Sequence, residues 1–131
     1  LEKHLHIVYE DSDLIVADKP SGVLCVPGLY NKPNLLQLVC QHISNQKQDG
    51  TTIAVEAKSD MIVHRLDMDT SGLVVFSKTT TALKGLHAAF RDRKVVVKEY
   101  HALLCGHLPE EWQRGNVHLP LQRDHRHPPF M

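Results

Sequence analysis

The chain is short of cysteine, of net charge and of long apolar runs, and each shortage excludes something. Its 131 residues hold three cysteines, Cys25, Cys40 and Cys105, odd in number, far apart and without a C-x-x-C pair. That argues against a disulfide framework and for a reducing compartment, with each cysteine expected as a small, buried apolar residue. The 15 Lys and Arg are matched by 15 Asp and Glu, which excludes a histone-like or ribosomal-protein balance. Any nucleic-acid contact therefore has to come from a local patch. No apolar run approaches the roughly 20 residues of a membrane helix, so no membrane partner is expected. There is no internal repeat and no low-complexity tract. With 42% hydrophobic and 23% charged residues, the composition is that of a folded core rather than of disorder. The chain opens on Leu1 without a secretory leader and closes on Pro128-Pro129-Phe130-Met131, so it reads as a piece of a longer protein.

Periodicity divides the chain into short mixed elements. Ile7 to Tyr9 and Leu14 to Ala17 predict two strands joined by the turn-forming Glu10-Asp11-Ser12-Asp13. Lys19-Pro20-Ser21-Gly22 breaks the second strand, and Val23 to Val26 resumes extended. Asn34 is an N-cap candidate, because Leu36, Val39, Cys40 and Ile43 behind it follow helical spacing. Gln46 to Thr52 reads as a polar loop. Leu73 to Phe76 is an apolar strand, and Thr79-Thr80-Thr81 can cap a helix from about Ala82 to Arg91 with Leu83, Leu86 and Phe90 on one face. Val95 to Leu104 predicts a long strand with Val96, Lys98, Tyr100, Ala102 and Leu104 on one side. A short strand is expected at Val117 to Leu119. One domain of mixed α and β structure is expected.

Charge is uneven along this plan. Glu10, Asp11 and Asp13 crowd the start, whereas Lys78, Lys84, Arg91, Arg93, Lys94 and Lys98 gather on the second helix and the segment after it. Such a surface suits a polyanion, and the plainer alternative is a solvated helix face.

The stretch that carries chemistry is His64-Arg65-Leu66-Asp67, followed by Asp69-Thr70-Ser71-Gly72-Leu73. It places an imidazole, a guanidinium and a carboxylate within four residues, just ahead of an apolar strand. In an extended backbone Arg65 and Asp67 share one side, and Gly72 allows a tight turn and close approach. Three readings stay open on the residues alone: Asp67 as nucleophile or base, Asp67 with His64 as metal ligands, or a salt-bridged structural loop. Metal is the weakest, because no second ligand stands at a spacing such as H-x-x-x-H. The tail histidines His118, His125 and His127 read as solvated.

His64 through Leu73 resembles the signature of the RluA family of RNA pseudouridine synthases, H-R-L-D-x-x-T-S-G-L, at every defined position. Asp18-Lys19-Pro20-Ser21-Gly22-Val23-Leu24 resembles that family's early K-P-x-G stretch, and Val26-Pro27-Gly28 suits the RluA branch itself. Lys98-Glu99-Tyr100, leading into Ala102-Leu103-Leu104-Cys105-Gly106, resembles its K-x-Y strand motif. The three stand in the family's order and spacing. The resemblance implies an α+β fold with a mixed, mainly antiparallel sheet flanked by helices. It also implies a metal-free and cofactor-free isomerisation of chosen uridines in structured RNA. Asp67 is then the nucleophile, Arg65 fills the space vacated by the flipped base, and Tyr100 packs on the uracil and serves in proton removal from C5. Lys98 would sit beside the same pocket and His64 would touch RNA phosphate or hold structure. Lys19, Pro20 and Gly22, like Thr70, Ser71 and Gly72, would shape turns.

The family's later motif, T-G-R-x-H-Q-x-R, supplies the basic partner of the carboxylate and has no match here. Leu119-Pro120-Leu121-Gln122-Arg123-Asp124 resembles the linker ahead of the second half of the catalytic domain. Residues 1–131 are thus expected to be the N-terminal portion of that domain, poorly folded or inactive alone. The resemblance further implies an rRNA or tRNA stem-loop as partner, a monomer when full-length, and the cytoplasm, or an organelle or nucleus in a eukaryotic cell. Two other classes compete: a non-catalytic RNA-binding protein of the same fold, and a hydrolase using Asp67 with His64.

Overall fold

In a computed structural model, the residues described are 5–28, 32–46, 61–92, 95–120, 122 and 125–126. The chain divides into two compact units, Leu1–Lys98 and Glu99–Met131.

The first unit is built on a three-stranded antiparallel sheet in the order β1-β2-β3, from β1 (His6–Glu10), β2 (Leu14–Lys19) and β3 (Gly72–Ser77). The β1–β2 turn forms because Asp11 Oδ1 accepts from the backbone N–H groups of Asp13 and Leu14 at 2.7 and 2.8 Å. This is the local competition of an aspartate side chain with the ladder that makes it a turn former. A bulge between Ile7 and Tyr9 interrupts the edge strand β1. The central strand β2 pairs Ile15 with Phe76 and Ala17 with Val74. All four are buried, so the period-2 pattern puts one apolar face on one side of the sheet.

Helix α1 (Leu35–Gln46) covers that face with Leu35, Leu36, Val39, Cys40 and Ile43, all in one core cluster with Ile15, Ala17, Cys25, Val74 and Phe76. Each fully buried leucine or valine there contributes about 1.5–3 kcal/mol. Asn34 caps the helix as its sequence position predicts: its Oδ1 accepts from Gln37 N–H at 3.1 Å. The residues at 47–52 of the expected loop lie outside the described residues.

Helix α2 (Thr80–Arg91) begins behind Thr79, whose hydroxyl accepts from Ala82 N–H at 3.1 Å and itself donates to Asp13. Leu83, Leu86 and Phe90 are half-buried on one face, and no residue of α2 is fully buried. Lys78 departs from the expected basic surface. Its Nζ pairs with Glu10 Oε1 at 2.9 Å and donates to the Asp11 carbonyl at 2.7 Å. The acidic start of the chain thus neutralises it. Lys84, Arg91 and Lys98 are exposed, and Arg93 and Lys94 lie outside the described residues.

In the second unit every described residue is exposed, and its regular structure among those residues is one 3-10 turn, Glu110–Trp112. The strands expected at Val95 to Leu104 and Val117 to Leu119 are absent among the described residues. Alternation can say which side chains would face a core, but a strand exists only where a neighbour takes its backbone bonds. At the start of the first segment, Val95 and Val96 N–H instead turn back onto the Asp92 carbonyl. Val97, Leu103, Val117 and Leu119 are each at least 74% exposed. Cys105 is exposed too, against the expectation, whereas Cys25 and Cys40 are buried. The α+β class holds, with a sheet of three antiparallel strands. Among the described residues, no helix is long and apolar enough to cross a membrane.

Candidate active site

The stretch from Ile62 to Gly72 runs beside β3, turns, and enters it. Ile62 bridges Phe76, and Val63 N–H donates to the Val75 carbonyl at 3.3 Å. The bond that continues this pairing comes from a side chain: Val75 N–H donates to Nε2 of His64 at 3.2 Å. Its imidazole stacks on Phe90 of α2, with centroids 4.6 Å apart and planes 20° from parallel. Burial, and then the Lys98 charge, push the His64 pKa below its ordinary value, so the ring is held neutral with Nε2 as acceptor. Lys98 Nζ lies 5.3 Å from the centre of the Phe90 ring, within cation–π range.

Beyond His64, Arg65 and Asp67 are exposed, and Leu66 between them is half-buried. Thr70 N–H closes a turn onto the Asp67 carbonyl at 3.2 Å. Gly72 then enters β3 at φ 128°, a conformation that favours glycine. Asp67 therefore stands on the rim of a tight turn between a stretch anchored by His64 and a sheet strand. Ser71 is exposed.

The early K-P-S-G stretch wraps this turn. Lys19 is fully buried, and its ammonium donates to three carbonyls: Val23 at 2.7 Å, Met68 at 2.8 Å and Pro20 at 3.1 Å. Those three bonds match the three hydrogens of the group, which is what permits a buried lysine here. Gly22, at φ 81°, donates its N–H to the Met68 carbonyl at 2.8 Å, and Ser21 Oγ donates to the Asp69 carbonyl at 2.8 Å. Lys19 and Gly22, expected to shape a turn, thus hold the backbone directly after Asp67 together with Ser21.

The structure brings together Lys19, Ser21 and Gly22 with Met68 and Asp69, and His64 with Val75, Phe90 and, through that ring, Lys98. Among the described residues no ion pair joins Arg65 to Asp67. Tyr100 lies in the second unit and is 62% exposed. Among the described residues no group of three or more His, Cys, Asp or Glu could hold a metal ion. Sequence reasoning missed Phe90, read only as helix core, and Cys25, read as a small apolar residue. The sulfur of Cys25 touches the backbone of Leu66, and no pattern in the sequence marks it.

An exposed carboxylate thus stands on a turn braced by a K-P-S-G loop, with an exposed arginine two residues earlier. The family model for RNA pseudouridylate synthase matches residues 13–131. The chain is 38% identical over 123 residues to the dual-specificity RNA pseudouridine synthase RluA of Haemophilus influenzae, covering 92% of this chain and 48% of that protein. It is 37% identical over 120 residues to the ribosomal large subunit pseudouridine synthase D of Zymomonas mobilis, covering 91% of this chain and 35% of that one. Its fold is similar to that of human RNA pseudouridylate synthase domain containing 4, with a TM-score of 0.50 and 19% identity over 71% of this chain and 33% of that one. The chain belongs to the RNA pseudouridine synthase family, and within it resembles the RluA group. It spans about half the length of RluA from Haemophilus influenzae and about a third of synthase D from Zymomonas mobilis.

Proposed function

We propose that the complete protein carrying this chain is an RNA pseudouridine synthase that isomerises chosen uridines in rRNA or tRNA stem-loops. The observation that carries this reading is the His64–Leu73 stretch, with Asp67 exposed on a turn that Lys19, Ser21 and Gly22 brace from a second motif. In this reading the target uridine leaves the RNA stack, at a cost of a few kcal/mol. Arg65 fills the vacated space, and Tyr100 offers the uracil a stacking surface worth roughly 1–3 kcal/mol. Asp67 is the nucleophile, the C1′–N1 bond breaks, the uracil turns, and C1′ bonds to C5. The proton on C5 leaves with help from Tyr100, and N1 ends protonated, so the RNA gains and loses no atoms. Lys98 contributes a cation to RNA binding. His64, neutral and packed, serves the site by holding the stretch in place. No metal or cofactor is required, the protein works as a monomer, and its compartment is the cytoplasm or an organelle or nucleus.

The test is nucleoside analysis of rRNA and tRNA transcripts after incubation with the complete protein and with its Asp67→Ala variant. A nucleoside of uridine's mass but pseudouridine's chromatographic position, formed by the first protein alone, is the expected result. Free uracil in its place would identify a hydrolase. RNA binding by both proteins with no product from either would identify a binding protein.

A further inference from the structure

The backbone that carries Asp67 is held on both sides, and on the N-terminal side the holding atom is a sulfur. Cys25 is 4% exposed. Its thiol donates to the Leu66 carbonyl at 3.2 Å, and the Leu66 N–H donates to the same sulfur at 3.3 Å. One atom thus satisfies both backbone groups of the residue before Asp67, as a neighbouring strand would. The sulfur stands on a fixed mount, because the Cys25 carbonyl accepts from Leu36 N–H in the first turn of α1 at 3.1 Å. Leu24, one residue earlier, bridges Asn34 at the helix cap. On the other side of Asp67, Lys19 and Gly22 hold the Met68 carbonyl and Ser21 holds that of Asp69. Asp67 itself is exposed, so the direction of its carboxylate depends on the backbone between these two anchors.

We propose that Cys25 is a positioning residue for Asp67, acting through its two-way bond to Leu66; this rests on the reading of Asp67 as the nucleophile. A purely packing role asks only for an apolar group near cysteine's size, which the larger valine and the smaller alanine bracket. The positioning role asks for a donor and an acceptor on one short side chain, which serine supplies and valine lacks. Displacing the turn by about an ångström is enough to cost a nucleophile up to a hundredfold in rate.

The experiment compares wild type, Cys25→Val, Cys25→Ser, Cys25→Ala and Asp67→Ala in the complete protein, each assayed well below its melting midpoint. The expected result for Cys25→Val is a kcat lower by roughly ten- to a hundredfold, with KM for RNA within about twofold of wild type. Cys25→Ala behaves alike and stands in should valine fail to fold. Cys25→Ser recovers most of the lost kcat, and amide exchange at Leu66 speeds up in the valine variant and slows again in the serine one. Wild-type kcat in Cys25→Val beside an inactive Asp67→Ala would overturn the inference alone. So would a loss confined to KM, or one that serine shares in full. Wild-type turnover by Asp67→Ala would overturn the reading of Asp67, and the inference with it.

Discussion

His64 and Phe90 stack at 4.6 Å between ring centroids, joining the motif that holds Asp67 to helix α2. The same imidazole accepts the backbone N–H of Val75 on β3. One side chain therefore fastens the stretch to a strand by a hydrogen bond and to a helix by ring contact, and the hydrogen bond accepted at Nε2 needs the neutral ring.

Acid should loosen this fastening. Burial, then the charge of Lys98, lower the folded-state pKa of His64 below 6.5. The unfolded chain then takes up a proton first as pH falls, so the contribution is fully present above about 6.5 and shrinks as pH drops toward the folded value. Denaturation midpoints of wild type and His64→Gln, compared at pH 7.5 and 5.5, should show a smaller acid loss in the variant. Glutamine keeps an acceptor and does not titrate. Equal losses would remove His64 from the acid response.

Replacing Lys19 by methionine keeps the apolar stem and removes all three hydrogen bonds to Val23, Met68 and Pro20. The Met68 carbonyl keeps the Gly22 N–H, whereas the part-buried Val23 and Pro20 carbonyls lose the ammonium, so Lys19→Met should cost about 1–3 kcal/mol. A shift of the denaturant midpoint with unchanged slope would measure it.

Two glycines give opposite expectations. At Gly72, φ 128° strains any L side chain although the nearest atom, Leu66 Cδ1, would lie at an ordinary 3.8 Å. Gly72→Ala should cost about 1–3 kcal/mol. At Gly85, within α2, an added methyl meets nothing within 4 Å, so Gly85→Ala should gain about 0.5–1 kcal/mol. Thermal midpoints moving in the same direction for both would contradict these backbone assignments.

What the sequence revealed follows the range of the forces involved. The face of α1 was legible because Leu36, Val39, Cys40 and Ile43 repeat at helical spacing, and all four are buried. The caps Asn34 and Thr79 act within three residues of themselves and were legible for the same reason. Val95 to Leu104 carries a strand's pattern, yet no ladder forms among the described residues, because pairing depends on a partner that a pattern cannot supply. Lys19 was recognisable as part of a turn. Its reach to Met68, 49 residues on, was not, since nothing local distinguishes a buried ammonium from a solvated one. The bond between Cys25 and Leu66 is hidden for a like reason: a thiol in an apolar run looks the same whether it packs or bonds.

The proposed role of Asp67, on its braced turn, is to drive uridine isomerisation. Its most direct measurement is tritium release from rRNA and tRNA transcripts labelled with 5-³H-uridine, using the complete protein and its Asp67→Asn variant. Exchange of the C5 hydrogen accompanies the new C1′–C5 bond, so wild type should release tritium with turnover. The variant, equal in charge-independent shape, should fall below about a thousandth of that rate. Release at the wild-type rate by Asp67→Asn would contradict the assignment of the nucleophile, and silence from wild type would contradict the isomerase itself.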